Sequence, residues 1–214
     1  MKKKDNGIRI VQYDIADIQL NIPRAFHYRD YEKRGNWPNV KPGRHKVSSI
    51  TLVAVLPELE SVNGKNQHLF KELGWGQKIS ITLRYSAPFD LQRGLEYNQQ
   101  QGVLIQQKES KYGLTHYVRS LVKGSKPYED YFVSYQGGSA TLIARCSLPS
   151  SVPSPACEFD RVLSNGIHLN YIYSLKYFEQ WQSIESELLK LLESFCQQQT
   201  TCIQLTEEMN GLNS

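Results

Sequence analysis

No run in this 214-residue chain approaches the roughly 18 consecutive apolar residues of a membrane-spanning helix. Cofactor and metal motifs are as scarce. Gly74-Trp75-Gly76 begins like a dinucleotide fingerprint but has Ile79 at the third glycine position, and Gly64-Lys65 runs on into Asn66, which excludes a phosphate-binding P-loop. Neither C-x-x-C nor H-E-x-x-H occurs, and His27, His45, His68, His116 and His168 stand apart from one another and from the cysteines. Gly137-Gly138-Ser139-Ala140-Thr141 resembles a nucleophile elbow until Thr141, which takes the place of the last glycine, so a hairpin turn is the better reading. Glu58 and Glu60 are paired carboxylates, but their spacing equally fits a solvated strand end. These absences lead us to expect no enzyme, no metal and no cofactor.

A strong charge of one sign is also missing. The net charge is +4, and Lys2, Lys3 and Lys4 supply three of those charges in a terminus expected to be mobile. Basic residues gather between Arg24 and Lys46, whereas the stretch beyond Ser174 is rich in glutamate. Ends of opposite sign favour partners with complementary patches over a uniform polyanion, so nucleic acid is not expected.

What the chain does have is cysteine in an informative place. Cys146 and Cys157 bracket a segment too rich in proline and serine to pack as helix or sheet, and it reads as a loop closed by a disulfide. Cys196 and Cys202 lie close together past the amphipathic C-terminal stretch and suit a second small loop. Four cysteines allow three pairings, and four reduced, buried thiols are the other reading. Disulfides point to an oxidising compartment, away from the cytosol. Met1-Lys2-Lys3-Lys4-Asp5-Asn6 does not continue into the apolar core of a secretory signal, so the expectation is a mature domain whose export signal has been replaced by a start methionine.

Period-two alternation is the dominant structural signal. Ile79, Ile81, Leu83 and Tyr85 alternate with Ser80, Thr82 and Arg84, and Ala140, Leu142, Ala144 and Cys146 with Thr141, Ile143 and Arg145. Val47 to Leu56 is more continuously apolar and suggests a central strand covered on both faces. Gln136-Gly137-Gly138 and Asn165-Gly166 each separate two alternating runs and mark hairpins. From Ser174, a candidate N-cap, the period becomes helical through Phe195, and a shorter helix is expected around Gln67 to Leu73. The predicted fold class is α+β: an antiparallel sheet with hairpins packed against a long C-terminal helix. We assign residues 1–7 to a flexible basic N-terminus, 8–205 to a single α+β domain, and 206–214 to a flexible tail. Two similar β-plus-helix halves, 8–94 and 102–205, are the alternative division.

Aromatic residues in turn-prone contexts suggest a recognition surface. Trp37 in Gly35-Asn36-Trp37-Pro38-Asn39 and Trp75 in Gly74-Trp75-Gly76 are the leading candidates, with Arg93 and Tyr97 next, because Trp, Tyr and Arg anchor interfaces. Folding back over a sheet edge is the structural alternative for both tryptophans.

The order of several segments carries a family resemblance. Tyr112-Gly113-Leu114 with Tyr117, Leu142-Ile143-Ala144-Arg145-Cys146, Cys157-Glu158-Phe159, Leu169-Asn170-Tyr171, Trp181-Gln182-Ser183-Ile184-Glu185 and Leu191-Leu192-Glu193-Ser194-Phe195 resemble the second half of periplasmic immunity proteins of type VI secretion systems. The likeness is to those that neutralise lipase-type effectors; Leu20-Asn21-Ile22-Pro23 and Leu56-Pro57 echo the first half. It implies a Cys146–Cys157 bridge, an often lipid-anchored protein without a transmembrane segment, and a function in antibacterial competition. The implied partner is a cognate effector toxin whose active site the protein occludes. The alternative is a periplasmic, envelope-associated binding module for a glycan, lipid or protein ligand.

Overall fold

The computed structural model describes residues 10–27, 43–85, 90–163 and 166–197. Eleven strands and three α-helices are found among them: β1 (Ile10–Ile15), β2 (Ile18–Pro23), β3 (Arg44–Lys46), β4 (Ser49–Val55), α1 (Gln67–Lys71), β5 (Lys78–Tyr85), α2 (Leu91–Gln100), β6 (Leu104–Gln106), β7 (Thr115–Ser120), β8 (Pro127–Gln136), β9 (Ser139–Ser147), β10 (Ala156–Val162), β11 (Ile167–Ser174) and α3 (Trp181–Ser194). The architecture is α+β. An eight-stranded sheet runs in the order β4-β5-β11-β10-β9-β8-β7-β6, every neighbouring pair antiparallel. A three-stranded sheet, β2-β1-β3, stands apart from it. The large sheet takes strands from both sides of α2.

Alternation in sequence becomes two unlike faces. Ile79, Ile81 and Leu83 of β5, Leu169, Tyr171 and Tyr173 of β11, Cys157 and Phe159 of β10, and Leu142 and Ala144 of β9 belong to one buried core with α3 and β2. Phe159 stacks on Tyr171 at 4.6 Å and on Tyr173 at 5.0 Å. Helix α3 supplies Trp181, Ile184, Leu188, Leu189 and Leu192, spaced to fall on one side. The indole of Trp181 donates to the Tyr112 carbonyl at 2.9 Å, so two segments that carry the family resemblance meet here. Beyond α3 the chain runs beside β2: Asn21 donates to the Phe195 carbonyl, and Gln197 to that of Gln19.

Two expectations need correction. Val47 to Leu56 forms β4, which is an edge strand of the large sheet and not a central one. Its apolar run still has a cause, because Leu52 and Ala54 enter the main core while Val53 and Val55 pack against Phe70 of α1 on the other face. The C-terminal helix starts later than Ser174. Leu175–Gln180 is a 3-10 segment, and the α-helix proper begins at Trp181 without a side-chain cap. The short helix ends at Lys71. The turn between β8 and β9 has Gly137 at φ 57° and Gly138 at φ 84°, a positive pair that glycine adopts freely. Asn165 lies outside the described residues.

Cys146 and Cys157 sit directly opposite each other on β9 and β10 and are joined by a disulfide. Cys196 is also disulfide-bonded; Cys202 lies outside the described residues. In the chain-entropy account, closing a loop of 11 residues stabilises the fold by about 3 kcal/mol. Cys146→Ala/Cys157→Ala is therefore expected to lower unfolding free energy in urea by about 2 to 3 kcal/mol. An unchanged midpoint and slope would show that this bridge contributes nothing to stability.

A buried ion pair joins the sheet to the helix. Arg161 Nη1 of β10 lies 3.1 Å from Glu185 Oε1 of α3, with side-chain exposures of 12% and 4%. Burial pushes the Glu185 carboxyl above its ordinary range, against the pull of Arg161 and the Tyr171 hydroxyl. Removing Arg161 leaves the Glu185 carboxyl buried without this counter-charge. Arg161→Leu should cost about 3 to 5 kcal/mol, and adding Glu185→Leu should recover most of that loss; denaturant titration of the single and double variants tests the coupling.

Candidate functional site

The other face of the large sheet is only partly covered. Helix α2 crosses it, and Leu91 and Leu95 pack on Tyr117, Tyr131, Val133 and Ile143. At the β4 edge α1 covers Val53 and Val55. Between these two apolar caps lies a cleft of about 400 Å3 over β5, β11, β10 and β9.

Its floor is polar because β9, β10 and β11 turn their alternate residues this way. Asp160 receives Arg145 Nη2 at 2.7 Å and Asn170 Nδ2 at 2.9 Å, and His168 Nε2 lies 3.0 Å away. Arg145 also reaches Glu158 at 3.2 Å, and Asn170 donates to Glu158 at 2.8 Å. Each side chain is held by at least one other before anything enters the cleft. Burial works to raise the Asp160 pKa, but the His168 contact, the Arg145 charge and the Asn170 hydrogen bond outweigh it and hold the carboxyl below its ordinary 3.8. Asp160 is thus an ionised acceptor at neutral pH. Farther along the sheet, burial pushes Tyr131 up to about 12, and the Arg119 guanidinium lies 5.7 Å from its ring centre.

The roof is set by one stripe of α2. Leu91, Gly94, Leu95 and Asn98, at i, i+3, i+4 and i+7, all line the cleft. Asp90 caps this helix by accepting from the Arg93 amide at 3.1 Å. Arg84 stands exposed at the mouth, with no ion pair among the described residues.

The sequence candidates do not converge on this cleft. Trp75 is half-buried, and its amide donates to Ser154 Oγ at 3.1 Å, which docks the 72–77 turn on the loop between the bridged cysteines. Arg93 and Tyr97 are exposed on α2, away from the Leu91–Asn98 stripe, and Tyr97 is 62% exposed. Trp75 precedes β5, whereas α2 packs chiefly over β9 and β6, so the two groups lie apart. Trp37 lies outside the described residues. Ser139 opens β9 in a hairpin.

A second feature follows the end of the sheet that carries the bridged loop. Leu73 is 99% exposed beside Trp75, and Val152 is exposed in the loop that this turn touches. The turn between β7 and β8, at the same end of the strands, exposes Leu121 and Val122. Sequence reasoning missed both features. The cleft network is spread over three strands, and only their register brings its members together. Leu73, Leu121 and Val122 break the rule that turns are polar, and that was the available signal.

The geometry defines an α+β domain with one covered face, one open polar face and an apolar rim. No protein-family model matches the chain, and no curated protein matches it. Solved structures do share the fold. Smlt3025, an immunity protein of the Stenotrophomonas maltophilia type IV secretion system, superimposes with a TM-score of 0.62 at 13% identity, covering 92% of this chain and 98% of its own. The Neisseria meningitidis iron-regulated outer membrane lipoprotein FrpD gives a TM-score of 0.60 at 16% identity, over 89% of this chain and 93% of its own.

Asp160 supplies a pH test. Its depressed pKa contributes stability that is present above the unfolded value and is lost as pH falls through the folded one. Asp160→Asn is expected to be less stable than wild type by about 1 to 3 kcal/mol at pH 7, with the gap closing below roughly pH 4. A gap that stays constant between pH 7 and 3 would contradict the network.

Proposed function

We propose that this protein is an immunity protein: it binds a secreted antibacterial effector and keeps it inactive by covering the active site, catalysing nothing itself. The observation that carries this reading is the near end-to-end agreement of its fold with an immunity protein of a secretion system. That neighbour serves a type IV system, whereas the sequence resemblance implied a type VI system and lipase-type effectors. The reading rests on the neutralising role common to both. The Cys146–Cys157 bridge fits a periplasmic setting, and a lipid anchor belongs to the same expectation.

Occlusion needs a complementary surface of roughly 1,600 Å2 and no catalytic set. The apolar rim supplies the anchors, since Leu73, Trp75, Leu121 and Val122 offer the hydrophobic centre that hot spots require. Arg93 and Tyr97 are the second contact group. The FrpD likeness favours one other reading, an envelope-associated binding module.

The test is affinity capture from the native host followed by co-expression with whatever secreted protein is recovered. We expect a stoichiometric, salt-resistant complex and relief of that protein's toxicity. Leu73→Asp combined with Trp75→Ala should weaken the complex by at least about tenfold while leaving the unfolding midpoint within error. Toxicity that persists despite co-expression would sink the proposal; undiminished affinity in the double variant would move the interface off the rim.

A further inference from the structure

The roof of the cleft is built as if to leave room. A helix laid on a sheet normally turns an apolar stripe downward, yet α2 places Gly94 and Asn98 among Leu91 and Leu95. Glycine inside a helix is unfavourable relative to alanine. Nothing within the described chain demands it, because a Cβ at Gly94 would meet no atom within 4 Å.

A second observation comes from Tyr131. It lines the cleft, and its hydroxyl makes no hydrogen bond to another described residue and stays open to solvent. That hydroxyl is free to bond to water or to a ligand in the cleft.

The charges in the cleft specify which kind. Arg84 and Arg145 match Glu158 and Asp160 in number, so the lining presents paired charges of both signs and not a field of one sign. Fixed donors and acceptors lie side by side on the floor, while Leu91, Leu95 and Ile143 form an apolar wall. A sugar ring matches both surfaces: each hydroxyl donates and accepts, and its C–H face is apolar. The volume of about 400 Å3 falls within the range of small-ligand sites. We propose that this cleft binds a neutral saccharide, its hydroxyls meeting Tyr131, Asn98 and the Glu158–Asn170 edge and its ring passing beneath Gly94. The site is independent of effector binding, and its test uses no effector.

Titration calorimetry and saturation-transfer NMR on the full chain would use maltose and N-acetylglucosamine as probes, with glucuronate as the anionic and protonated glucosamine as the cationic comparator. We expect a dissociation constant of about 1 mM for at least one neutral sugar and weaker binding of both comparators. Tyr131→Phe should weaken binding about three- to tenfold. Gly94→Ala should raise Tm through helix propensity and yet weaken binding, a pairing of effects that a purely structural glycine would not show. Gln99→Ala, outside the cleft stripe, should leave affinity unchanged. No saturation transfer from either sugar, tighter binding of a comparator, or full affinity in Gly94→Ala would overturn the assignment.

Discussion

The register of β10 between β9 and β11 is the constraint on which the rest of the molecule depends. Phe159 stands opposite Ala144 on one side and Tyr171 on the other, and Asp160 opposite Ile143 and Asn170. A slip of one residue would drive two carboxylates into the aromatic core and put Phe159 in the polar cleft. Both interactions resist it: burying an ionised carboxylate without partners is prohibitive, and the Cys146–Cys157 bridge fixes one pair of opposed residues covalently.

The same strand therefore serves two electrostatic environments. Arg161 faces α3 and answers the buried Glu185, while Asp160, one residue earlier, faces the cleft and is held ionised by Arg145 and Asn170. On the covered side, burial dominates and raises the carboxyl pKa; on the open side, hydrogen bonds and charge dominate and lower it. Opposite shifts on opposite faces follow from the difference in solvent access and in the number of donors. The helix side is consequently a locking contact, and the open side a prearranged polar surface.

Much of this was legible before any coordinates. Alternation in Ile79–Tyr85 and Ala140–Cys146, the double glycine of the β8–β9 turn and the helical period around Trp181 to Leu192 are local signals, and local signals determine these elements. Val47 to Leu56 shows the limit. An apolar run reports that both faces are covered, without saying whether a neighbouring strand or a helix such as α1 lies alongside, so an edge strand was read as central. Ser174 looked like a helix cap because its side chain is suitable, but the backbone first takes a 3-10 path through Leu175–Gln180. The cleft was the least accessible feature, since Arg145, Glu158, Asp160, His168 and Asn170 each look like ordinary outward residues until pairing brings them together.

The proline-rich loop between the bridged cysteines has a further property. Residues 149–153 are exposed, and a protease reaching a stretch of this kind would cut the backbone where no ladder hydrogen bond protects it. Cys146 and Cys157 would still hold the two fragments together, in the register that β9 and β10 already share. A nick here would release no fragment, and the sheet would pass from one chain to two without changing its pairing. The bridge makes this segment expendable as a connection, whatever it contributes as a surface.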